Sequence, residues 1–306
     1  MRDPVERAVA DLVRARGPLT GAEIAKEIGE TGSLRIWKAC KSSPELRVRS
    51  LGIRYMRLER NVEGFARLSP SILREFFTYS VVGLAGDPGP LEKRCGEISG
   101  RIRAISDYKL GLARQMVFEI MEEFRSDVPG DHRVCFIIAG DIVYGMAHDV
   151  PRPEHSTGKL VKGSDIDLIV VVGDAFPDSS IERLDRIIYG KKYRMLINPA
   201  VNEEVDYIIK RLATIEKQAL FDDFRRKVAI KILQEGVLLH GSEELFDTVK
   251  TLLKDRGLVE KLEELARQAK AHREDAEEAL LSGRLDEESI RKTHLFYSAD
   301  EFEEFE

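Results

Sequence analysis

The sequence predicts a mixed α/β (α+β) chain of more than one domain: a mixed sheet with flanking helices, preceded by a small helix-and-strand module and followed by a helical region. Three observations carry this. The 306 residues exceed what one ordinary core organises. The hydrophobic period changes along the chain, from helical spacing to short apolar runs near Val134, Leu168 and Val205, and then back. Charge is unevenly spread: residues 1–60 carry 13 Lys and Arg against 8 Asp and Glu, while the whole chain stands at -6. A basic head is thus joined to an acidic body. The segments divide at 1–62, 63–130, 131–212 and 213–306.

Residues 4–15 place Val5, Ala8, Val9, Leu12 and Val13 at helical spacing, and Gly17-Pro18 ends that helix. Thr20, with Glu23 three residues on, is a capping box for a second helix. Its apolar face is Ile24, Ala25 and Ile28, and Gly29 ends it. A third helix starts at Ser33 and holds Leu34, Ile36, Trp37 and Cys40, with Trp37 assigned to the core. Leu46 to Arg49 and Ile53 to Leu58 alternate around Ser50-Leu51-Gly52, the pattern of a hairpin. Residues 61–86 are loop-rich. Leu91 to Phe124 is helical by spacing, although Gly96, Gly100 and Gly111 argue against one unbroken helix. Val128 to His132 is a turn.

Val134 to Gly140, Leu168 to Val172 and Val205 to Ile209 are short buried strands, with a helix from Ser180 to Tyr189 before the last. Residues 211–235 and 243–282 are helical around a strand or loop at Val237 to Gly241. His240 marks that strand end, Ser242 caps the next helix, and the tail Asp300 to Glu306 is acidic. The helical stripes of 211–282 serve a core or an interface, which leaves homo-oligomerisation open.

No stretch approaches the roughly 18 apolar residues that span a bilayer, so no membrane partner is expected. The amino terminus lacks the apolar region of a secretory signal. Cys40, Cys95 and Cys135 are odd in number and far apart, which argues against a disulfide framework and a zinc knuckle and for a reducing, cytoplasmic setting. His132, His148 and His155 lack metal-ligand spacing.

Three helices followed by a hairpin with Arg47, Arg49, Arg54 and Arg57 facing outward, over about residues 3–59, resembles a winged helix. That resemblance implies DNA or RNA as partner, with Ser33, Arg35, Lys38 and Lys41 offered to a groove and the arginines to phosphate. Glu23, Glu27 and Glu30 dilute the basic surface, and protein docking stays open as the alternative.

The densest chemical signal is Gly163-Ser-Asp-Ile-Asp-Leu-Ile-Val-Val-Val172. Residues two apart on a strand share a face, so Asp165 and Asp167 present two carboxylates side by side. Like charges so close disfavour joint ionisation unless a cation lies between them. Hard oxygen ligands suit Mg2+ or Mn2+. Asp206 is a third carboxylate within an apolar strand; a salt bridge to Arg194 or Lys210 is its structural alternative. Ile138-Ala-Gly-Asp-Ile-Val-Tyr-Gly145 offers Gly140 and Gly145 for close backbone approach to an anion. Asp141 is read as a cap of the following helix, and Lys191 and Lys192 as a solvated loop or a phosphate contact.

Strand, glycine turn, helix, Gly-Ser-Asp-Ile-Asp-Leu before an apolar run, then a lone Asp in the next strand: over about residues 133–210 this resembles the DNA polymerase beta-like nucleotidyltransferase superfamily. The resemblance implies that Asp165, Asp167 and Asp206 bind metal and act catalytically. It also implies that Gly140, Asp141, Gly145 and Ser164 border a nucleoside triphosphate. Two departures stand out. Asp141 occupies the position of the family's serine, where a carboxylate repels a triphosphate unless protonated or turned away. An insertion of about Ala147 to Lys162 brings His148, Arg152, His155, Lys159 and Lys162. The expected activity is transfer of a nucleoside monophosphate from an NTP, with loss of pyrophosphate. The alternatives are a DNA-binding regulator whose inactive transferase fold senses a nucleotide and, more remotely, a toxin–antitoxin component.

Overall fold

The computed structural model describes residues 3–29, 31–60, 62–127, 133–154, 158–284, 290 and 295–297. Glu30, the expected turn at 128–132 with His132, His155, and the tail 300–306 lie outside the described residues. The architecture is mixed α/β with several small sheets. Among the described residues no helix is long and apolar enough to cross a membrane. The chain forms two compact units, residues 1–101 with 265–306 and residues 102–264. The 213–306 region is therefore shared between them.

The first unit begins with α1 (Pro4–Arg16), where Asp3 accepts from the Val5 N–H at 2.8 Å and satisfies one of the free amides of the first turn. β1 (Leu19–Thr20) leads into α2 (Gly21–Ile28) through the expected capping box. The Glu23 N–H donates to Thr20 Oγ1 at 3.2 Å, and the Thr20 N–H donates to Glu23 at 2.7 Å. α3 (Ser33–Ser42), β2 (Leu46–Ser50), β3 (Tyr55–Leu58), β4 (Ala66–Ser69), α4 (Ile72–Thr78) and β5 (Ser80–Leu84) follow.

Here the structure corrects the expected hairpin. β2 pairs antiparallel with β5, Val48 opposite Val82, and β3 pairs with β4, Arg57 opposite Arg67. Together β1, β5 and β2 form a sheet with β5 at its centre. The segment 61–86, expected to be loop-rich, thus supplies two strands and a helix. The reason is burial: Val81 and Val82 are fully buried, so β5 is worth more as a central strand than Ile53 to Leu58 would be as a wing. Arg54 is exposed as expected, but it is not free for phosphate. It grips Glu75 with two hydrogen bonds of 2.8 Å.

The core of this unit gathers Val9, Ile24, Ile36, Trp37, Phe76 and Val82, completed from the carboxy-terminal end by Ala276, Leu280 and Phe296. Trp37 meets the Phe296 ring edge-on at 5.7 Å.

α5 (Pro88–Asp127) is one continuous helix of 40 residues, although its glycines argued against an unbroken one. A Cβ at Gly96, Gly100 or Gly111 would meet nothing within 4 Å. These positions therefore cost only helix propensity, about 1 kcal/mol each, which buried Met116, Val117, Ile120 and Phe124 offset. The second unit continues with β6 (Val134–Ala139), a 3-10 turn (Gly140–Ile142), β7 (Pro151–Pro153), β8 (Leu160–Lys162), β9 (Ile166–Val172), α6 (Asp178–Ile197) and β10 (Val205–Arg211). It ends with α7 (Leu212–Gln218), α8 (Phe224–Glu235), β11 (Val237–Gly241), α9 (Glu243–Asp255) and the first turns of α10 (Leu258–Ser282).

The sheet order is β10-β9-β6-β11, with β10 parallel to β9 and the other pairs antiparallel. One face, with Phe136, Ile138, Leu168, Val170 and Val205, shares a core with Val117 and Ile120 of α5 and Leu184 and Ile188 of α6. No helix follows the glycine turn; the chain makes a 3-10 turn and then the β7–β8 hairpin. α6 runs on to Ile197, which puts Lys191 and Lys192 on a helix instead of a loop.

Candidate active site

The two strands that carry the aspartates are neighbours, and Asp206 on β10 is the register partner of Asp167 on β9. Partners on adjacent strands, about 4.8 Å apart, present their side chains on the same face. Asp165 lies two residues before Asp167 and continues that face. Ile166 pairs with Val205, so Glu204 occupies the place beside Asp165. Four carboxylates therefore share one end of this sheet face, opposite the α5–α6 core.

Gly140 closes the third side. It follows β6, whose Ala139 is the partner of Asp167, and has φ +73°; a Cβ there would stand 2.2 Å from Asp167 Oδ2. Only glycine lets the turn lie against this carboxylate. Asp141 does not cap a helix. Its Oδ2 accepts from Ser164 Oγ at 2.7 Å, and Ser164 Oγ accepts from the His148 N–H at 3.2 Å. Ser164 is buried, so Asp141 is held against the loop that precedes Asp165. The Gly145 N–H donates to Ile142 O at 3.1 Å; it is spent inside the turn and is not offered to an anion as expected. Tyr144 anchors this turn to α8 by donating to Glu235 at 2.6 Å, and Lys231 pairs with the same carboxylate at 2.5 Å.

Two cations hold the loop that delivers Asp165. Lys109 of α5 is buried and donates to Lys162 O and Ser164 O, each at 2.7 Å, and to the Glu203 carboxylate. Its three protons meet three acceptors. Burial pushes the Lys109 ammonium below its ordinary range and the Glu203 carboxyl above its own, each opposed by the other's charge. Arg152, from the β7–β8 hairpin, donates Nε–H to Gly163 O at 2.7 Å. It stands 2.8 Å from Glu204 Oε2 and 3.7 Å from Asp165. The angles leave that buried Glu204 oxygen without a well-directed hydrogen bond. Burial, partly offset by Arg152 and reinforced by Asp206 and Asp165, raises the Glu204 carboxyl.

Asp206 pairs with neither Arg194 nor Lys210. Lys192 Nζ lies 2.9 Å from Asp206 Oδ1, with the carboxylate side chain 54% exposed. Lys210 donates to Gln218 at 3.0 Å, and burial brings it down to about 8. Of the insertion's cations Arg152 turns inward, and Lys162 Nζ donates to Ala200 O at 3.3 Å.

Sequence reasoning missed Lys109, Glu203 and Glu204, and it gave Lys192 to a loop or a phosphate contact where the structure seats it on Asp206. Lys109 had a signal, for it interrupts the apolar stripe of Ile102, Ile105, Leu112 and Met116. Glu204 had one too: Glu204-Val-Asp206 repeats the spacing of Asp165-Ile-Asp167.

Carboxylate oxygens are the donor chemistry a hard divalent cation takes, but the buried Glu204 oxygen already faces Arg152 at 2.8 Å. Among the described residues no three His, Cys, Asp or Glu side chains converge closely enough to hold one; Lys192 and Arg152 neutralise Asp206 and Asp165. Compared with known proteins, the chain matches no family model and no curated protein sequence.

Proposed function

We propose that the chain is a divalent-metal-dependent nucleotidyltransferase, similar in its site to the DNA polymerase beta-like superfamily. It would transfer a nucleoside monophosphate from an NTP to an acceptor. The observation that carries this reading is the pairing of Asp206 with Asp167 on parallel neighbours, with Asp165 on the same face and Gly140 against the Asp167 carboxylate. Asp165, Asp167 and Asp206 would hold Mg2+ or Mn2+. Such a cation, when bound, supplies Lewis acidity toward phosphate oxygens and eases ionisation of an acceptor hydroxyl. The chain's own part is positioning: Lys109 and Arg152 fix the loop before Asp165, and Gly140 admits the Asp167 carboxylate. Asp141, at the position of the family's serine, accepts from the Ser164 hydroxyl, which ties it to the loop before Asp165. Lys192 must yield Asp206 to the cation. Mg2+-dependent release of pyrophosphate from labelled NTPs, abolished in Asp165→Ala, Asp167→Ala and Asp206→Ala, tests this reading; equal release by the variants overturns it.

The sheet order β1-β5-β2 beside α1 to α3 supports a winged-helix reading of the amino-terminal unit, with residues 51–79 inserted between its last two strands. Exposed Arg47, Arg35 and Lys41 are its candidate phosphate contacts, and DNA or RNA its candidate partner. A regulator with an inactive, nucleotide-sensing transferase fold is the second reading. It is favoured by the cations already seated on Asp206 and Asp165, and it predicts NTP binding without turnover.

A further inference from the structure

We propose that the outer face of α5 within the second unit pairs with the same face of a second copy of the chain, the two helices running antiparallel around Gly111. The inference goes beyond the transferase reading and does not depend on it. Residues 102–127 of α5 bury Ala113, Val117, Ile120 and Phe124 in the core shared with the sheet. The opposite side carries Ala104, Asp107, Tyr108, Gly111, Arg114 and Phe118, at the three- and four-residue steps of one helical stripe. Phe118 is 58% and Tyr108 50% exposed. Between them a Cβ at Gly111 would meet nothing within 4 Å, so two aromatic rings stand on either side of an open notch.

The charges decide the occupant. From Arg103 through Asp107 and Arg114 to Glu122 the exposed charges alternate in sign. Among the described residues none of these four makes an ion pair. Reversing the helix direction turns this order into its own complement. In an antiparallel pair centred on Gly111, residues equally far from it in the chain come level. Asp107 then meets Arg114 of the second copy, and Arg103 falls between Glu119 and Glu122. The two-fold symmetry repeats each contact. A parallel pair would set like charges level.

The uncharged groups obey the same register. Phe118 faces Ala104, a large ring over a small side chain, and Tyr108 faces Arg114, whose guanidinium lies on the ring. Gly111 faces itself, and the missing Cβ lets the two backbones approach closely. An unrelated partner would need no such self-complementarity.

Sedimentation equilibrium of the full chain over the micromolar range tests this. The native chain should dimerise, and Phe118→Asp should leave it monomeric with its far-UV circular dichroism unchanged, because the position is exposed. Arg114→Asp and Asp107→Arg should each weaken the dimer about tenfold, since every change strikes two ion pairs. The two together should restore it, because the swap keeps opposite charges level. Gly111→Cys, on the two-fold axis, should give a disulfide-linked dimer on mild oxidation; Cys40, Cys95 and Cys135 are buried and take no part. A native chain that stays monomeric overturns the proposal. So does a dimer that survives Phe118→Asp, or a charge swap that restores nothing. No readout involves NTP turnover, so the transferase reading fails or holds separately.

Discussion

Lys192 on α6 holds Asp206 on β10 at 2.9 Å, and Asp206 is the register partner of Asp167. On the proposed reading, a lysine and a divalent cation would compete for one carboxylate. An exposed ion pair contributes about 0.2–1 kcal/mol, so Lys192→Ala should tighten Mn2+ binding by up to about fivefold. Electron paramagnetic resonance of the free ion measures this directly, without turnover. Unchanged affinity would mean that Asp206 is not a ligand.

Gly140→Ala places a Cβ 2.2 Å from Asp167 Oδ2 at a backbone φ of +73°. Two costs follow, the left-handed conformation at about 1–2 kcal/mol and the collision with the carboxylate. Only the second depends on Asp167. Combined with Asp167→Ala, the substitution should cost less than it does alone, with a coupling of about 0.5–3 kcal/mol in a denaturation cycle. Strict additivity would place the carboxylate elsewhere. Turnover should fall in both single variants by about two to three powers of ten.

The buried Lys109 ammonium and Glu203 carboxylate give a third expectation. Lys109→Met strands a buried charge and should cost about 3–5 kcal/mol in urea unfolding. Adding Glu203→Leu should recover part of it and not all, because Lys162 O and Ser164 O lose a donor in either background. Full recovery would show that those two carbonyls find another donor.

What was legible in the sequence was local. The Thr20–Glu23 box, the Ser242 cap and the apolar runs of β6, β9 and β10 depend on neighbours in the chain, and spacing reveals them. The partner of β2 was not legible, because β5 lies some thirty residues on, and the Ser50-Leu51-Gly52 turn advertised a nearer one. The three aspartates were visible as spacing, while their company was not. Arg152 reaches Glu204 across a hairpin, and Lys192 reaches Asp206 from a helix whose length Gly190 obscured. Asp141 was misread because a cap requires a helix, and the chain after this glycine makes only a 3-10 turn.

Glu75 ties pH to the stability of the amino-terminal unit. Burial raises its carboxyl, but the two hydrogen bonds from Arg54 and the charge of Arg273, 2.5 Å away, outweigh this and hold it below the ordinary value. The folded state thus keeps Glu75 ionised where the unfolded chain has begun to bind a proton. Its contribution is complete above the ordinary carboxylate range of about 4 and is lost as pH falls through the lowered folded value. Trp37, the single tryptophan and a buried core residue of this unit, reports the transition by fluorescence. Glu75→Gln should lower stability at neutral pH, about 3 kcal/mol for a broken buried pair, and should flatten the acid limb of the curve. An acid limb as steep in the variant as in the native chain would assign the loss to other carboxylates.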